Sequence, residues 1–261
     1  MSSERSDAAP VAEKQSGNAD YSWAKFDSEA YFQHYYGDPH PDDDRVIQCA
    51  VAALKRAAPL DGDLDVVDIG TGPNLIPFFC ALPRARSLTA WEYAESNVAW
   101  LNAELQRDDL RPQWQHFWGV TRAAFGPDWP PLPVDPMSAL RTACTVVRGS
   151  VYDLPERRWD AATMFFCAES ITEKYDEFVQ AVAAFAKCVR PGGMLAAAFL
   201  VRSGGYEVSG RRFPVLHLSA ETIETVFGMY ADDAHCDRIG IVEQEIRSGY
   251  SGFVFLTGRA R

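Results

Sequence analysis

A chain of 261 residues, 47% of them hydrophobic, is long enough to bury a sizeable core and fits one large α/β domain with additions. Its formal charge of -11 disfavours nucleic-acid backbones and anionic membranes as partners, because a negative field repels both; small cationic or neutral molecules are easier to accommodate. The six cysteines (Cys49, Cys80, Cys144, Cys167, Cys188, Cys236) show no Cys-x-x-Cys spacing and read as buried thiols of a reducing compartment, with neither a disulfide frame nor a metal site.

Met1 to about Gly17 is rich in Ser, Ala, Glu and Lys, which predicts a disordered tail ahead of a single domain over residues 18–261. That stretch holds no hydrophobic segment, and no run of about eighteen apolar residues follows it, so neither a secretory signal nor a membrane span is read and a cytoplasmic protein is expected. The segment Phe26-Asp-Ser-Glu-Ala-Tyr-Phe-Gln-His-Tyr-Tyr36 predicts a short N-capped helix starting near Ser28. A second helix, Asp42 to about Ala57, places Val46, Ile47, Ala50, Val51 and Leu54 at helical spacing.

Strands and helices then alternate. Strand Leu64 to Ile69 leads to helix Asn74 to Leu82, strand Ser87 to Trp91 to helix Ser96 to Gln106, and strand Thr145 to Arg148 to a turn at Leu154 to Arg157. Strand Ala161 to Phe166 precedes helix Asp176 to Val189, whose Phe178, Val179, Val182, Phe185 and Val189 form one apolar face. Arg190-Pro-Gly-Gly193 is expected to stop that helix, and Met194 to Val201 reads as a central strand. Helix Ala220 to Met229 is followed by two β-rich runs, Ile239 to Ile246 and Gly252 to Thr257, joined by a Ser-Gly turn that favours a hairpin. The pattern predicts a doubly wound, mostly parallel α/β sheet that ends in an antiparallel hairpin.

Two segments exceed the minimal fold. Arg107 to Thr142 contains Trp114, Trp118, Trp129 and a Pro-rich run, too long for an ordinary loop and therefore partly structured or functional; its tryptophans read first as packing. Ser203 to Leu216 places Ser209-Gly210 between strand-like runs and predicts an inserted hairpin. Additions of this kind commonly cap a crevice at the carboxyl ends of the strands.

The chemistry is concentrated in Asp65-Val-Val-Asp-Ile-Gly-Thr-Gly-Pro-Asn74 and Ala90-Trp-Glu-Tyr-Ala-Glu-Ser-Asn97. Together they read as a buried strand, a turn in which Gly70 and Gly72 let the backbone approach a ligand, and a carboxylate, Glu92, at the tip of the next strand where it can accept both hydroxyls of a ribose. A dinucleotide site wants a third glycine three residues after Gly72, to pack the helix and present its N-terminus to a pyrophosphate; Leu75 stands there. The bland alternative is a tight turn with no ligand.

The order Val-Asp-Ile-Gly-Thr-Gly-Pro resembles the first motif of class I S-adenosylmethionine-dependent methyltransferases, in which the acid before the first glycine, here Asp68, faces the methionine end. With Tyr31-Phe-Gln-His-Tyr-Tyr36 and Glu92-Tyr-Ala-Glu-Ser-Asn97 added in order, the chain resembles the nicotinamide, phenylethanolamine and thioether methyltransferase family from about Tyr21 to the C-terminus. The resemblance implies a Rossmann-like methyltransferase domain with an N-terminal helical lid over about 21–57. It places Tyr31 and Tyr36 at the cofactor carboxylate, Gly70 and Thr71 at the methionine part, Glu92 at the ribose, and Tyr93 and Asn97 at the ribose edge and amino-acid end. Ser150 and Val151 would stand at the adenine, where relatives usually have Asp-Val, and Phe165 would line the cofactor pocket; Ile76 stands where relatives have tyrosine.

On the substrate side the resemblance puts a carboxylate, Glu169, toward a substrate amine as the catalytic acid-base partner, against the alternative of a solvent-exposed helix-start acid. Ser203 and Tyr206 would line the substrate pocket, with Tyr206, the second catalytic candidate, opposite Glu169 across the transferable methyl. Phe199 stands where nicotinamide enzymes carry an aspartate, and Arg247-Ser-Gly-Tyr250 lacks the carboxylate of catecholamine enzymes, so another substrate is implied. Of the histidines, His34 and His217 are the two that could border the pocket. The implied activity is biosynthetic S-adenosylmethionine-dependent methylation of a small molecule, first at nitrogen, with carbon or oxygen left open. A fold relative that retains the cofactor but catalyses a cyclisation, and a binding module without catalysis, are the competing classes.

Overall fold

The computed structural model describes residues 15–57, 63–240 and 252–261. Ser16 N donates to Glu173 Oε2 at 2.9 Å, Glu173 N donates back to Ser16 O at 3.0 Å, and Asn18 N donates to Glu177 Oε2 at 2.8 Å. Two carboxylates thus satisfy the amides of Ser16 and Asn18. Residues 1–14 of the expected tail lie outside the described residues.

Two short 3-10 turns, Asn18–Asp20 and Trp23–Lys25, form a strap that leads into α1 (Ser28–Tyr36), which Asp27 caps by accepting from Ala30 N. Helix α2 (Pro41–Lys55) begins with proline and three aspartates in its first turn, which suits the positive end of its dipole, and buries Val46, Ile47, Ala50, Val51 and Leu54 as their spacing predicts.

β1 (Leu64–Ile69) is followed by α3 (Ile76–Ala81), shorter than expected because Asn74 Oδ1 accepts from Ile76 N at 2.8 Å and holds the preceding residues in a turn. β2 (Ala85–Glu92) and α4 (Glu95–Leu105) match the pattern closely. The long insertion is helical: α5 (Pro112–Phe125) buries Trp114 and Trp118, and α6 (Pro136–Ala143) is capped by Asp135. Packing accounts for these two tryptophans; Trp129 rests on Phe125 with ring centroids 5.0 Å apart.

β3 (Cys144–Arg148) leads to a 3-10 turn at Val151–Asp153, just before the turn expected at Leu154 to Arg157, and then to β4 (Trp159–Phe165). Helix α7 (Tyr175–Lys187) stops earlier than expected, and Val189 opens β5 (Val189–Leu200) by pairing with Trp159. The Pro-Gly-Gly element is consequently a bulge within β5 rather than a helix stop: the register shifts between Trp159 and Ala161, Gly192 has φ +79, and a Cβ on Gly193 would lie 2.5 Å from Asp160 O. The inserted hairpin is β6 (Tyr206–Val208) and β7 (Arg211–Phe213), joined by Ser209 and Gly210, both at positive φ as a two-residue turn requires.

After α8 (Ala220–Gly228) come β8 (Ala231–Ile239) and β9 (Phe253–Ala260), which pair antiparallel. Ile239 ends the penultimate strand instead of starting it. That strand is mostly exposed and polar at the sheet edge, so it carries no apolar alternation to read. The rest of the expected run, its turn and Arg247 to Tyr250 lie outside the described residues.

The seven-stranded sheet has the order β3-β2-β1-β4-β5-β9-β8, parallel except at β9 and β8. One face is covered by a core built from α2, α3, α4, α5 and α6 together with Phe32 of α1; the other is covered by α7 and α8. A small third cluster joins Phe26 of the strap to Val208 and Phe213 of the inserted hairpin. Strap and hairpin thus meet above the carboxyl ends of the central strands, the edge at which doubly wound sheets bind ligands. Among the described residues no helix is long and apolar enough to cross a membrane.

Candidate active site

The turn after β1 needs its glycines for two different reasons. Gly70 has φ +65, and a Cβ there would lie 2.1 Å from Cys167 Sγ, so both conformation and space exclude a side chain. Gly72 has φ +61, but a Cβ would meet nothing nearer than Gly70 O at 4.0 Å; its bare face opens onto a cavity. Leu75, in place of a third glycine, is fully buried.

Glu92 ends β2 with its carboxylate turned onto this turn. Oε2 accepts from Gly72 N at 2.8 Å and Oε1 from Ala94 N at 2.7 Å. Burial pushes its pKa up, opposed by these hydrogen bonds and by one from Asn97. A side chain that could reach the cavity is thus positioned by backbone amides in advance. Asp68 is different from expectation: it lies beneath the turn, 2% exposed, accepting from Thr163 Oγ1 at 2.6 Å, while Thr71 Oγ1 donates to its carbonyl at 3.2 Å. Burial raises its pKa to about 7, and it does not line the cavity. Its role is to brace the turn against β4.

The larger of two adjoining cavities lies over this turn. All ten residues that the resemblance assigns to the cofactor line it: Tyr31 and Tyr36 from α1, Gly70 and Thr71 from the turn, Glu92, Tyr93 and Asn97 from the end of β2 and the start of α4, Ser150 and Val151 after β3, and Phe165 from β4. Asn74 Nδ2 donates to Tyr36 Oη at 3.1 Å, and Ser28 Oγ to Asn97 Oδ1 at 2.7 Å, so α1 is tied to both sides of the mouth. Ser150 accepts from Tyr152 N at 3.2 Å, which fixes its side chain as a 3-10 cap.

Several lining residues were not legible. Asn18, Trp23 and Phe26 come from the strap between the expected tail and the first helix, to which the sequence pattern assigns no site role; the aromatic pair Trp23 and Phe26 was the available signal. Trp91 forms floor, its ring so close to Gly149 that a Cβ there would lie 2.4 Å away, and its indole donates to Ser150 O at 2.9 Å.

The smaller cavity adjoins the first and shares Tyr31, Tyr36, Phe166, Ser170 and Tyr206 with it. Ser203 and Tyr206 line it, together with Asp42 and Asp43 from the first turn of α2. Tyr206 stacks on Phe213 at 5.5 Å and donates to Ser170 O at 3.3 Å. Phe166 lies at the junction with φ +56, a strained conformation for a bulky residue; it directs the ring against Phe253, 5.4 Å away, at the mouth between the two cavities.

Glu169 lines neither cavity, which corrects its expected place opposite Tyr206. It is fully buried: Oε1 accepts from Leu200 N at 2.9 Å, its carbonyl accepts from Leu216 N at 2.7 Å, and Oε2 has no hydrogen-bond partner. Burial raises its pKa to about 8, so the carboxyl is largely protonated at neutral pH. It joins the exit of β4 to the end of β5 and the return of the inserted hairpin. Phe199 likewise faces the opposite layer, packing on Phe178 at 5.8 Å, and neither His34 nor His217 borders either cavity.

Comparison with known proteins agrees with this architecture. The model of the NNMT/PNMT/TEMT family matches residues 138–253. No curated protein sequence matches the chain significantly. Among solved structures, the chain is similar to a 1,6-didemethyltoxoflavin-N1-methyltransferase from Burkholderia thailandensis with bound 1,6-didemethyltoxoflavin and S-adenosylhomocysteine (TM-score 0.51, 17% identity, covering 97% of this chain and 92% of that one). It is also similar to the 4+2 cyclase SpnF (TM-score 0.54, 14% identity, 82% and 80% covered). A third similar structure is the magnesium protoporphyrin IX methyltransferase ChlM from Synechocystis PCC 6803 with bound SAM (TM-score 0.53, 12% identity, 88% and 90% covered). The chain has the class I methyltransferase fold, and the family match spans less than half of the chain, downstream of the turn motifs.

Proposed function

We propose that this chain binds S-adenosylmethionine in the larger cavity and transfers its methyl group to a nitrogen of a small molecule held in the smaller one. The observation that carries the proposal is the junction: Tyr31, Tyr36, Phe166, Ser170 and Tyr206 belong to both cavities, so a group presented from one is within reach of a molecule in the other.

The residues present fit the cofactor. Glu92 offers a buried carboxylate to ribose hydroxyls, the bare face of Gly72 leaves room for close approach, and the missing third glycine argues against a pyrophosphate. Tyr31, Tyr36, Gly70, Thr71 and Asn97 would hold the amino-acid end, and Tyr93, Ser150 and Val151 the adenosine end, with Phe165 as wall. When bound, the cofactor supplies a methyl group activated by a sulfonium.

The chain supplies positioning. Methyl transfer is an in-line displacement, and orienting the two reactants can lower such a barrier by about 7–11 kcal/mol. Tyr31, Tyr36, Phe166 and Tyr206 exclude water at the junction and present ring faces that tolerate positive charge. With Glu169 turned away, Asp42 and Asp43 are the carboxylates that line the smaller cavity, and their field favours an amine over an anionic acceptor. Free cysteines throughout support a reducing, cytoplasmic setting, and the net charge of -11 supports small molecules over nucleic acid as partners.

The likeness to a cyclase keeps one rival in view. Incubating the chain with isotopically labelled S-adenosylmethionine and candidate amines, then weighing the products, distinguishes them: a labelled product heavier by one methyl substitution supports transfer. A product of unchanged mass, with the cofactor intact, would replace it with cyclisation.

A further inference from the structure

Arg111 touches neither cavity, yet it sits between two carboxylates of different kinds. Nε donates to Glu104 Oε1 and Oε2 at 2.9 and 3.0 Å, and Nη2 lies 2.8 Å from Oε2. Its other edge meets Glu29, with Nη1 donating to Oε1 at 2.8 Å and Nη2 to Oε2 at 3.2 Å. The Glu104 side chain is 2% exposed, whereas that of Glu29 is 47% exposed. Two indoles complete the network: Trp114 donates to Glu104 Oε1 at 2.6 Å and Trp100 to Glu29 Oε2 at 2.8 Å. The guanidinium also lies over the ring of Phe32, 4.8 Å from its centroid.

Glu29 and Phe32 belong to α1, the helix that carries Tyr31 and Tyr36 into the larger cavity; Arg111 is the N-cap residue of α5, in the insertion. We propose that Arg111 is a positioning residue that latches α1 over the cofactor cavity, so that the 107–142 insertion controls cofactor retention without touching the cofactor. The inference rests on the cofactor assignment above.

The two halves of the latch differ in strength. Glu104 is buried and needs a cation beside it, so the Arg111–Glu104 half is fixed; breaking it would leave the buried charge with Arg107 alone, whose Nε lies 4.0 Å from Oε1. The Glu29 half is at the surface, where ion pairs are weak and screened by salt, so it can open and close. Hydrogen bonds from Arg111 hold the Glu29 carboxyl down at about 2, which keeps this half charged across the ordinary pH range. Lysine could not replace the arginine, because a point charge cannot engage both carboxylates along planar edges.

The test uses Glu29→Gln, which leaves the buried half intact, with Arg111→Lys as a second variant. Titration with S-adenosylhomocysteine should give affinity about two- to fivefold weaker for Glu29→Gln, the order expected for one half-exposed ion pair. Hydrogen exchange over residues 28–36 should quicken, while exchange in β1 and β4 and turnover at saturating cofactor stay unchanged. Arg111→Lys should move both readouts further in the same direction. Wild-type affinity together with wild-type exchange of α1 in Glu29→Gln would overturn the latch. Failure of the wild-type chain to bind S-adenosylhomocysteine would instead remove the cofactor assignment, and exchange of α1 in ligand-free protein would still decide whether the latch exists.

Discussion

Asn74 of the glycine turn donates to the hydroxyl of Tyr36 on α1 at 3.1 Å, which joins the helix that covers the larger cavity to the loop that floors it. Removing the hydroxyl should therefore affect the ligand more than the fold. Tyr36→Phe is expected to lower stability by only about 0.5–1.5 kcal/mol, the net worth of a typical hydrogen bond, and to weaken S-adenosylhomocysteine binding beyond what that loss explains. Paired denaturation and calorimetric titrations check this; equal affinity in Tyr36→Phe and wild type would separate the helix from the cofactor.

The two turn glycines should respond differently to alanine. Both positions have positive φ, which costs an alanine about 1–2 kcal/mol, but only at Gly70 does the new Cβ collide with Cys167 Sγ. Gly70→Ala should therefore destabilise the chain well beyond Gly72→Ala in thermal melts. Gly72→Ala, whose methyl points into the cavity, should retain most of its stability and lose cofactor affinity. Indistinguishable melting temperatures would contradict the packing at Gly70.

Glu169 should prove dispensable to chemistry, and its contribution to stability should fall as pH rises from about 4.5 to about 8. Its folded pKa of about 8 lies above its ordinary value of 4.5, so its contribution to stability is fully present below about pH 4.5 and falls as pH rises toward 8. Glu169→Gln keeps the neutral shape and removes the titration. The variant should methylate at a rate close to wild type and gain stability relative to it as pH rises from about 4.5 to about 8, with no further gain above that, read by urea unfolding at each pH. A loss of turnover by the 10² to 10⁴ typical of general acid-base groups would return a direct catalytic role to Glu169.

Tyr206 offers the opposite profile. Its ring stacks on Phe213 and lines both cavities, while its hydroxyl makes a long bond of 3.3 Å to Ser170 O. Tyr206→Phe should leave the melting temperature and kcat/KM nearly unchanged, whereas Tyr206→Ala, which opens the wall, should depress kcat/KM for a confirmed substrate. Equal kinetics for both variants would take Tyr206 out of the substrate cavity.

Much of the sheet could be read because its signals are local. Val66, Val67 and Ile69 make an apolar run, and the glycines after it have no other economical explanation. The ten expected cofactor residues line one cavity because strand ends in a parallel sheet converge at one edge. What escaped was set by distant partners. The strap around Asn18 owes its order to Glu173 and Glu177, more than 150 positions away, and nothing in Ser16-Gly-Asn18 announces them. Glu169 follows a central strand as a catalytic acid would, but Leu200 N, thirty-one residues on, captures its carboxylate. Val189 continues the helical spacing of Phe185 and yet pairs with Trp159, since a bulge at Pro191-Gly-Gly193 lets the strand begin earlier.

The most direct measurement of the central claim is a calorimetric titration of the chain with S-adenosylmethionine, S-adenosylhomocysteine and NAD, repeated on Glu92→Ala after its fold has been verified by circular dichroism. Glu92 already accepts hydrogen bonds from Gly72 and Ala94 at the edge of the cavity, so it is placed to take ribose hydroxyls. Binding of both sulfur-containing ligands, no heat with NAD, and a loss of about 1.5–3 kcal/mol in Glu92→Ala are the expected results. Tight binding of NAD with no affinity for S-adenosylmethionine or its demethylated product would contradict the account.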